Sequence, residues 1–272
     1  MIASLYECFQ HWAKTGSVFA ISDTHFCDSD CKLMDKNWIS ADEQVEIINK
    51  KVHKADTLII LGDVGNVEYV RKLKASYKVL IMGNHDPGSE NFYKKYSLQQ
   101  FNEETRSWES LENYTSRLKN DLDIFMNSHS TKHYRIINNN LFDEVYEGPL
   151  FISEKIMLSH EPYDLPFAAN IHGHDHAGKM YHGHNVNLAS NVCGFTPVSL
   201  AELIKGGLIS KVPTIHRICI DKANKNPIHK KENKQMEIDK IDELCGALVK
   251  YTQDTEKLYI SGRLDAIREE VE

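Results

Sequence analysis

Five short apolar runs in this chain each lead directly into side chains able to coordinate a metal ion. Asp23 and His25 follow Val18 to Ile21, Asp63 follows Leu58 to Leu61, and Asn84, His85 and Asp86 follow Val79 to Met82. His160 then follows Ile156 to Leu158, and His172-Gly173-His174-Asp175-His176 follows a run ending at Ile171. The donors are imidazole nitrogens and carboxylate or amide oxygens without thiolate, a set suited to borderline or hard divalent ions. An Asp-x-His or Gly-Asp pair alone is common by chance, but five such groups in order at the ends of apolar runs form a specific pattern.

The elements must bring residues 23 to 176 to one place. In an open α/β sheet, ligands bind at the carboxyl ends of the strands, so loops far apart in sequence converge there. Short unbroken apolar runs alternating with helical stretches are the expected pattern of buried parallel strands with crossover helices. Ser40 and Glu43 form a capping-box signature ahead of Val45, Ile47, Ile48 and Val52 at helical spacing. A shorter helix is expected over Val67 to Lys74, and another from Pro197 to about Lys205.

Between Pro87 and His129, Phe101, Trp108, Leu111, Leu118, Leu122 and Phe125 recur at intervals of three, four or seven. The spacing predicts one or two amphipathic helices, a helical insertion over about 87–130 that is either a lid or a layer on the sheet. The expected domain spans 1–220. Residues 221–272 are expected to form a basic linker holding Lys222, Lys225, Lys230, Lys231 and Lys234, then a helical extension from about Met236 to Tyr251. His182 and His184 echo the ligand spacing a few residues late, and a surface hairpin accounts for them.

The ordered motifs resemble those of the calcineurin-like metallophosphoesterases: D-x-H, G-D, G-N-H-[DE], a lone His and G-H-x-H. The resemblance covers about 18 to 200, with no motif between 87 and 155. It implies an α/β fold, a four-layer α-β-β-α sandwich of two mixed sheets. It also implies one metal on Asp23, His25 and His176, a second on Asn84, His160 and His174, and Asp63 bridging them. Manganese or iron is favoured, with zinc, nickel and cobalt also compatible with these donors. Two ions ~3.5–4 Å apart can clamp the entering and leaving oxygens of an in-line phosphoryl displacement and acidify a bridging water, giving a hydroxide nucleophile without a covalent intermediate. His85, adjacent to Asn84, is then placed to protonate the departing alkoxide, with Asp86 orienting its imidazole. Cys27 and Cys31 lie nearby but are not needed to complete the set, and are read as ordinary thiols.

Substrate class follows from departures and charge. Gly62-Asp63-Val64-Gly65-Asn66 lacks the arginine of the protein-phosphatase signature Gly-Asp-x-x-Asp-Arg-Gly, which points away from phosphoproteins. The compact bacterial and phage-like phosphodiesterases are more similar, with a small nucleotide or related phosphodiester as substrate. A net charge of -7, from 39 acidic against 32 basic residues, supplies no general field for a polyanion, so nucleic acid is not favoured as a partner. A nuclease and a non-catalytic interaction module remain the alternatives, and the latter has no need of His85 or a full ligand set. No signal peptide or membrane span is read, and six scattered cysteines suit a reducing, cytoplasmic setting.

Overall fold

The computed structural model describes residues 4–128, 133–225 and Lys250. The chain divides into two compact units, Met1–Thr214 and Ile215–Glu272. The helix α5, Ile215–Lys225, begins the second unit and runs across the boundary expected at 220. Apart from Lys250, the helix expected over Met236 to Tyr251 lies outside the described residues, as do Lys230, Lys231 and Lys234.

In the first unit, one five-stranded sheet has the order β13-β1-β2-β3-β7, with strands Val198–Ser199, Val18–Ile21, Thr57–Ile60, Tyr77–Ile81 and Glu144–Tyr146. Strands β1, β2, β3 and β7 are parallel and β13 is antiparallel to β1. A second sheet has the order β11-β12-β10-β9-β8, from Tyr181–His182, Asn185–Asn187, Ala169–His172, Ile156–Leu158 and Leu150–Ser153. Its three inner strands are parallel and its two edge strands antiparallel, so both sheets are mixed.

Strand alternation explains why the runs have no polar face. Val18, Ala20, Ile59, Leu61, Val79 and Ile81 join Ile156, Leu158, Ala169 and Ile171 in one buried cluster between the sheets. The intervening Phe19, Ile21, Leu58, Ile60 and Leu80 pack with Val45 and Ile48 of the helix α2, Ala41–Lys51. The capping box is formed, with Ser40 Oγ accepting from the Glu43 amide and the Glu43 carboxylate accepting from the Ser40 amide. A further short helix α1, Cys31–Met34, precedes it, and α4, Leu200–Lys205, contributes Leu200 and Leu203 to the inter-sheet cluster. Among the described residues, helix α2 and the two mixed sheets make up three layers of the α/β fold.

The insertion differs from its expected helical form. It is a three-stranded antiparallel sheet of order β5-β4-β6, from Tyr96–Asn102, Ser107–Ser116 and Tyr134–Asn138 in chain order, with one helix α3, Lys119–Ser128. The seven-residue interval from Phe101 to Trp108 is a cross-strand pair, its ring centroids 5.3 Å apart, not two turns of helix. Hairpin closure brings an aromatic pair into register as effectively as helical periodicity does, so spacing alone misassigned it. The Leu122 to Phe125 spacing does belong to a helix.

Candidate metal centre

All five sequence groups lie at or just beyond strand carboxyl ends, and the parallel register of β1, β2 and β3 places three of their loops side by side. The loops are cross-tied through backbone: the Asp23 amide donates to the Gly62 carbonyl at 3.0 Å, His25 to Asp63 at 2.9 Å, and Gly173 to His160 at 2.9 Å. Gly62 has φ +87°, which a side chain tolerates poorly, and a Cβ there would meet the Gly83 nitrogen at 2.5 Å. At Gly173, a Cβ would meet Ser22 Oγ at 1.9 Å and Asp23 Oδ2 at 2.1 Å, so only glycine admits the approach of the first and last groups.

Four candidate ligands, Asp23, His25, Asp63 and His174, have φ between 39 and 66°. That region is disfavoured for residues with a Cβ and costs on the order of 1–3 kcal/mol each, a strain that collects at functional sites. Its effect is to turn both carboxylates inward while the backbone fixes half of each. Asp23 Oδ2 accepts from the His174 amide at 2.8 Å, and Asp63 Oδ1 from the His85 amide at 2.9 Å. The second oxygen of each faces imidazoles. Asp23 Oδ1 lies 3.4 Å from His176 Nε2 and 4.0 Å from His25 Nε2. Asp63 Oδ2 lies 3.6 Å from His25 Nε2 and 3.3 Å from His160 Nε2.

These contacts define two groups able to hold a cation, Asp23 with His25 and His176, and Asp63 with His160 and His174. Asn84 Oδ1 and His174 Nδ1 both approach His160 Nε2, at 2.9 and 3.1 Å. Among the described residues, the buried Asp23 Oδ1 finds no hydrogen-bond partner, because the approach of His176 Nε2 lacks hydrogen-bond alignment. A buried carboxylate oxygen left unsatisfied among imidazoles is expensive unless a cation completes it, so the residues fit a metal centre.

The imidazoles are oriented from behind, leaving Nε2 of three of them turned inward. His160 Nδ1 donates to the Leu61 carbonyl at 2.8 Å, His176 Nδ1 pairs with Asn191 Oδ1 at 3.0 Å, and His25 Nδ1 lies 3.3 Å from Asp28 Oδ2. Asn191 and Asp28 were not singled out in the sequence, since neither follows a strand end in a motif. Burial disfavours the His160 imidazolium, but Asp63, Asp23 and the Leu61 carbonyl outweigh it and push its pKa up to about 9. His176 is raised chiefly by Asp23, and His25 is lowered chiefly by burial. Burial works against ionisation of Asp63, yet hydrogen bonding and charge from His160 hold its carboxyl below the usual range.

His85 is exposed, its ring centroid 5.7 Å from that of His25. Asp86 does not take the part expected of it. Its Oδ2 accepts from the Asp63 and Gly83 amides at 2.9 and 2.8 Å, and its Oδ1 from the Val64 amide at 3.1 Å and Tyr93 Oη at 3.0 Å. These four bonds commit Asp86 to joining the loops after β2 and β3, not to the His85 imidazole. Cys31 forms a third potential group with His25 and Asp28, and in the metal-free protein burial first and nearby carboxylates second push its thiol up to about 12. His182 and His184 lie on the β11–β12 hairpin, as the sequence suggested.

The family model described as calcineurin-like phosphoesterase matches residues 16–194. The chain belongs to the calcineurin-like phosphoesterase family. Its matched span contains all five loops of the site, so family and geometry together support a metal-dependent phosphoesterase. A solved structure, that of the protein of unknown function AQ665 from Aquifex aeolicus, is 22% identical, with 70% of this chain and 98% of that chain covered and a TM-score of 0.43. No curated protein matches this phosphoesterase significantly. No helix among its described residues is long and apolar enough to cross a membrane.

Proposed function

We propose that this chain is a dinuclear phosphodiesterase acting on a small nucleotide or related diester. The position of Asp63 Oδ2 carries the reading, 3.6 Å from His25 Nε2 in one group and 3.3 Å from His160 Nε2 in the other. A carboxylate oxygen shared between two imidazole groups suits a bridging ligand. Asp23, His25 and His176 would hold one ion, and Asn84, His160 and His174 the other. When bound, two divalent ions supply Lewis-acid charge to the phosphoryl oxygens and acidify water, and these donors suit manganese or iron.

The protein's own residues provide orientation and a proton. The loops after β2 and β3, joined by Asp86, fix the Asp63 and His85 backbones relative to each other. His85, exposed at the mouth of the site, donates a proton from its imidazole to the departing alkoxide oxygen. Beside Asn84 and His160 lies a cavity of about 230 Å³ that includes Glu147, Glu161 and Tyr163 and no lysine or arginine. A phosphomonoester dianion gains little from such walls, whereas a singly charged diester with hydroxyl or amino groups can donate to the two carboxylates.

Hydrolysis of bis-p-nitrophenyl phosphate by the manganese-loaded protein tests the reading. His85→Ala is expected to keep its metal content and lose on the order of 10²–10⁴-fold in kcat, the usual contribution of general acid catalysis. Unchanged kcat in a metal-replete His85→Ala protein would remove His85 from the mechanism. A faster rate on p-nitrophenyl phosphate than on the diester would overturn the substrate class.

A further inference from the structure

Away from the metal loops, a cleft of about 420 Å³ lies between the 3-10 turn Val67–Lys72 and the end of β5. Its volume falls in the ~300–1,000 Å³ range of small-molecule sites. Arg71, Lys94, Lys95 and Arg117 line it against a single carboxylate, Glu68. That concentration of cations is unexpected in a chain whose net charge is -7.

Two of the four are already matched. Arg71 Nε lies 3.0 Å from Glu68 Oε2, and Lys94 Nζ lies 2.5 Å from Glu90 Oε1. Lys95 and Arg117 have no carboxylate within ion-pairing distance among the described residues. The Arg117 guanidinium is held over the Phe92 ring, 4.8 Å from its centroid, which restrains the side chain without using its donors on another charge. A planar guanidinium held in this way can present two parallel N–H groups to a phosphate, and a lysine beside it adds a mobile point charge.

We propose that this cleft binds a diphosphate group, either free or carried by a nucleotide. Two unpaired cations and two further basic groups match a multiply charged anion better than a single phosphate. Val67 and Leu141, both half-buried in the lining, provide apolar surface for an attached organic group. The site is distinct from the metal centre and does not depend on the phosphodiesterase reading. It nevertheless lies one residue away from that centre's support, because Tyr93 both lines the cleft and donates to Asp86.

Calorimetric titration of the full-length, metal-loaded protein with pyrophosphate and with ADP tests the proposal. At least one of them is expected to bind, with an affinity that falls as sodium chloride screens the cations. Binding by ADP alone assigns the nucleotide form, and binding by pyrophosphate assigns the free anion as sufficient. Lys95→Glu and Arg117→Glu should each weaken binding at least ~10-fold, the loss expected from one charge-assisted contact. Lys95→Arg should stay close to the unmodified protein, which a merely misfolded variant would not. Absence of binding by both probes overturns the proposal. So does unchanged affinity in both charge-reversed variants, because that result places the anion at the metal centre instead.

Discussion

His176 owes its orientation to Asn191, whose Oδ1 pairs with His176 Nδ1 at 3.0 Å while its Nδ2 donates to the His176 carbonyl at 2.9 Å. Both ring and backbone are therefore held by one amide from a loop fifteen residues later in the chain. Asn191→Ala should leave the fold intact but weaken metal affinity by ~10–100-fold, as loss of a group behind a ligand usually does. Competition with a chelating dye measures this directly, and an unchanged affinity would show that Trp38, whose ring centroid lies 5.7 Å from that of His176, suffices to hold the imidazole. Roles of this kind were not legible in the sequence. The seven candidate ligands could be found because each follows an apolar run closely, whereas Asn191 and Tyr93 act through contacts that only tertiary folding creates. Asp86 marks the limit from the other side: its position in Gly-Asn-His-Asp was evident, but the partners of its two oxygens were not.

The elements framing the site are tied to the rest of the unit by polar as well as apolar contacts. The 3-10 helix Glu7–Ala13 is held against β3 and β7 by Glu144, which accepts from Tyr77 Oη, from Tyr146 Oη at 2.6 Å and from Trp12 Nε1 at 3.1 Å, and pairs with His11 Nε2 at 2.9 Å. Burial opposes ionisation of Glu144, but these donors outweigh it and lower its pKa. Its contribution is therefore present above the ordinary glutamate value of 4.5 and is lost as pH falls through the depressed folded value. Glu144→Ala should destabilise the protein by about 3 kcal/mol at neutral pH, because several part-buried donors lose their acceptor together. Urea denaturation checks the figure, and a loss below ~1 kcal/mol would mean that water replaces the carboxylate. No motif announces this cluster, since it joins residues 11, 12, 77, 144 and 146. The β-strands of the core were legible for the opposite reason: β1, β2 and β3 are buried on both faces and so appear as unbroken apolar runs. The insertion has smaller, half-solvated faces, and there aromatic spacing fitted a hairpin and a helix equally well.

At the scale of the whole molecule, two strained carboxylates and several imidazoles concentrated in one place must be stabilised either by protons or by metal. Without metal, the raised pKa of His160 contributes stability fully present below its ordinary 6.5 and lost as pH rises through about 9. Asp63, with its lowered pKa, contributes above its ordinary 3.8 and loses that contribution on acidification. A metal ion requires His160 neutral at Nε2, so metal and proton compete for the same position. The stabilisation conferred by metal should therefore grow from about pH 6.5 to about pH 9, while the chelated protein weakens over that window. With ions at 100 times their dissociation constant, the gain is about 2.7 kcal/mol per site. For a unit of this size that corresponds to a rise in Tm of roughly 5–10 °C. Scanning calorimetry with manganese and with EDTA across this pH range measures both curves. A gap between them that stays constant with pH would show that His160 carries no proton for the metal to displace across this window, and would overturn the proton competition while leaving both ligand groups standing.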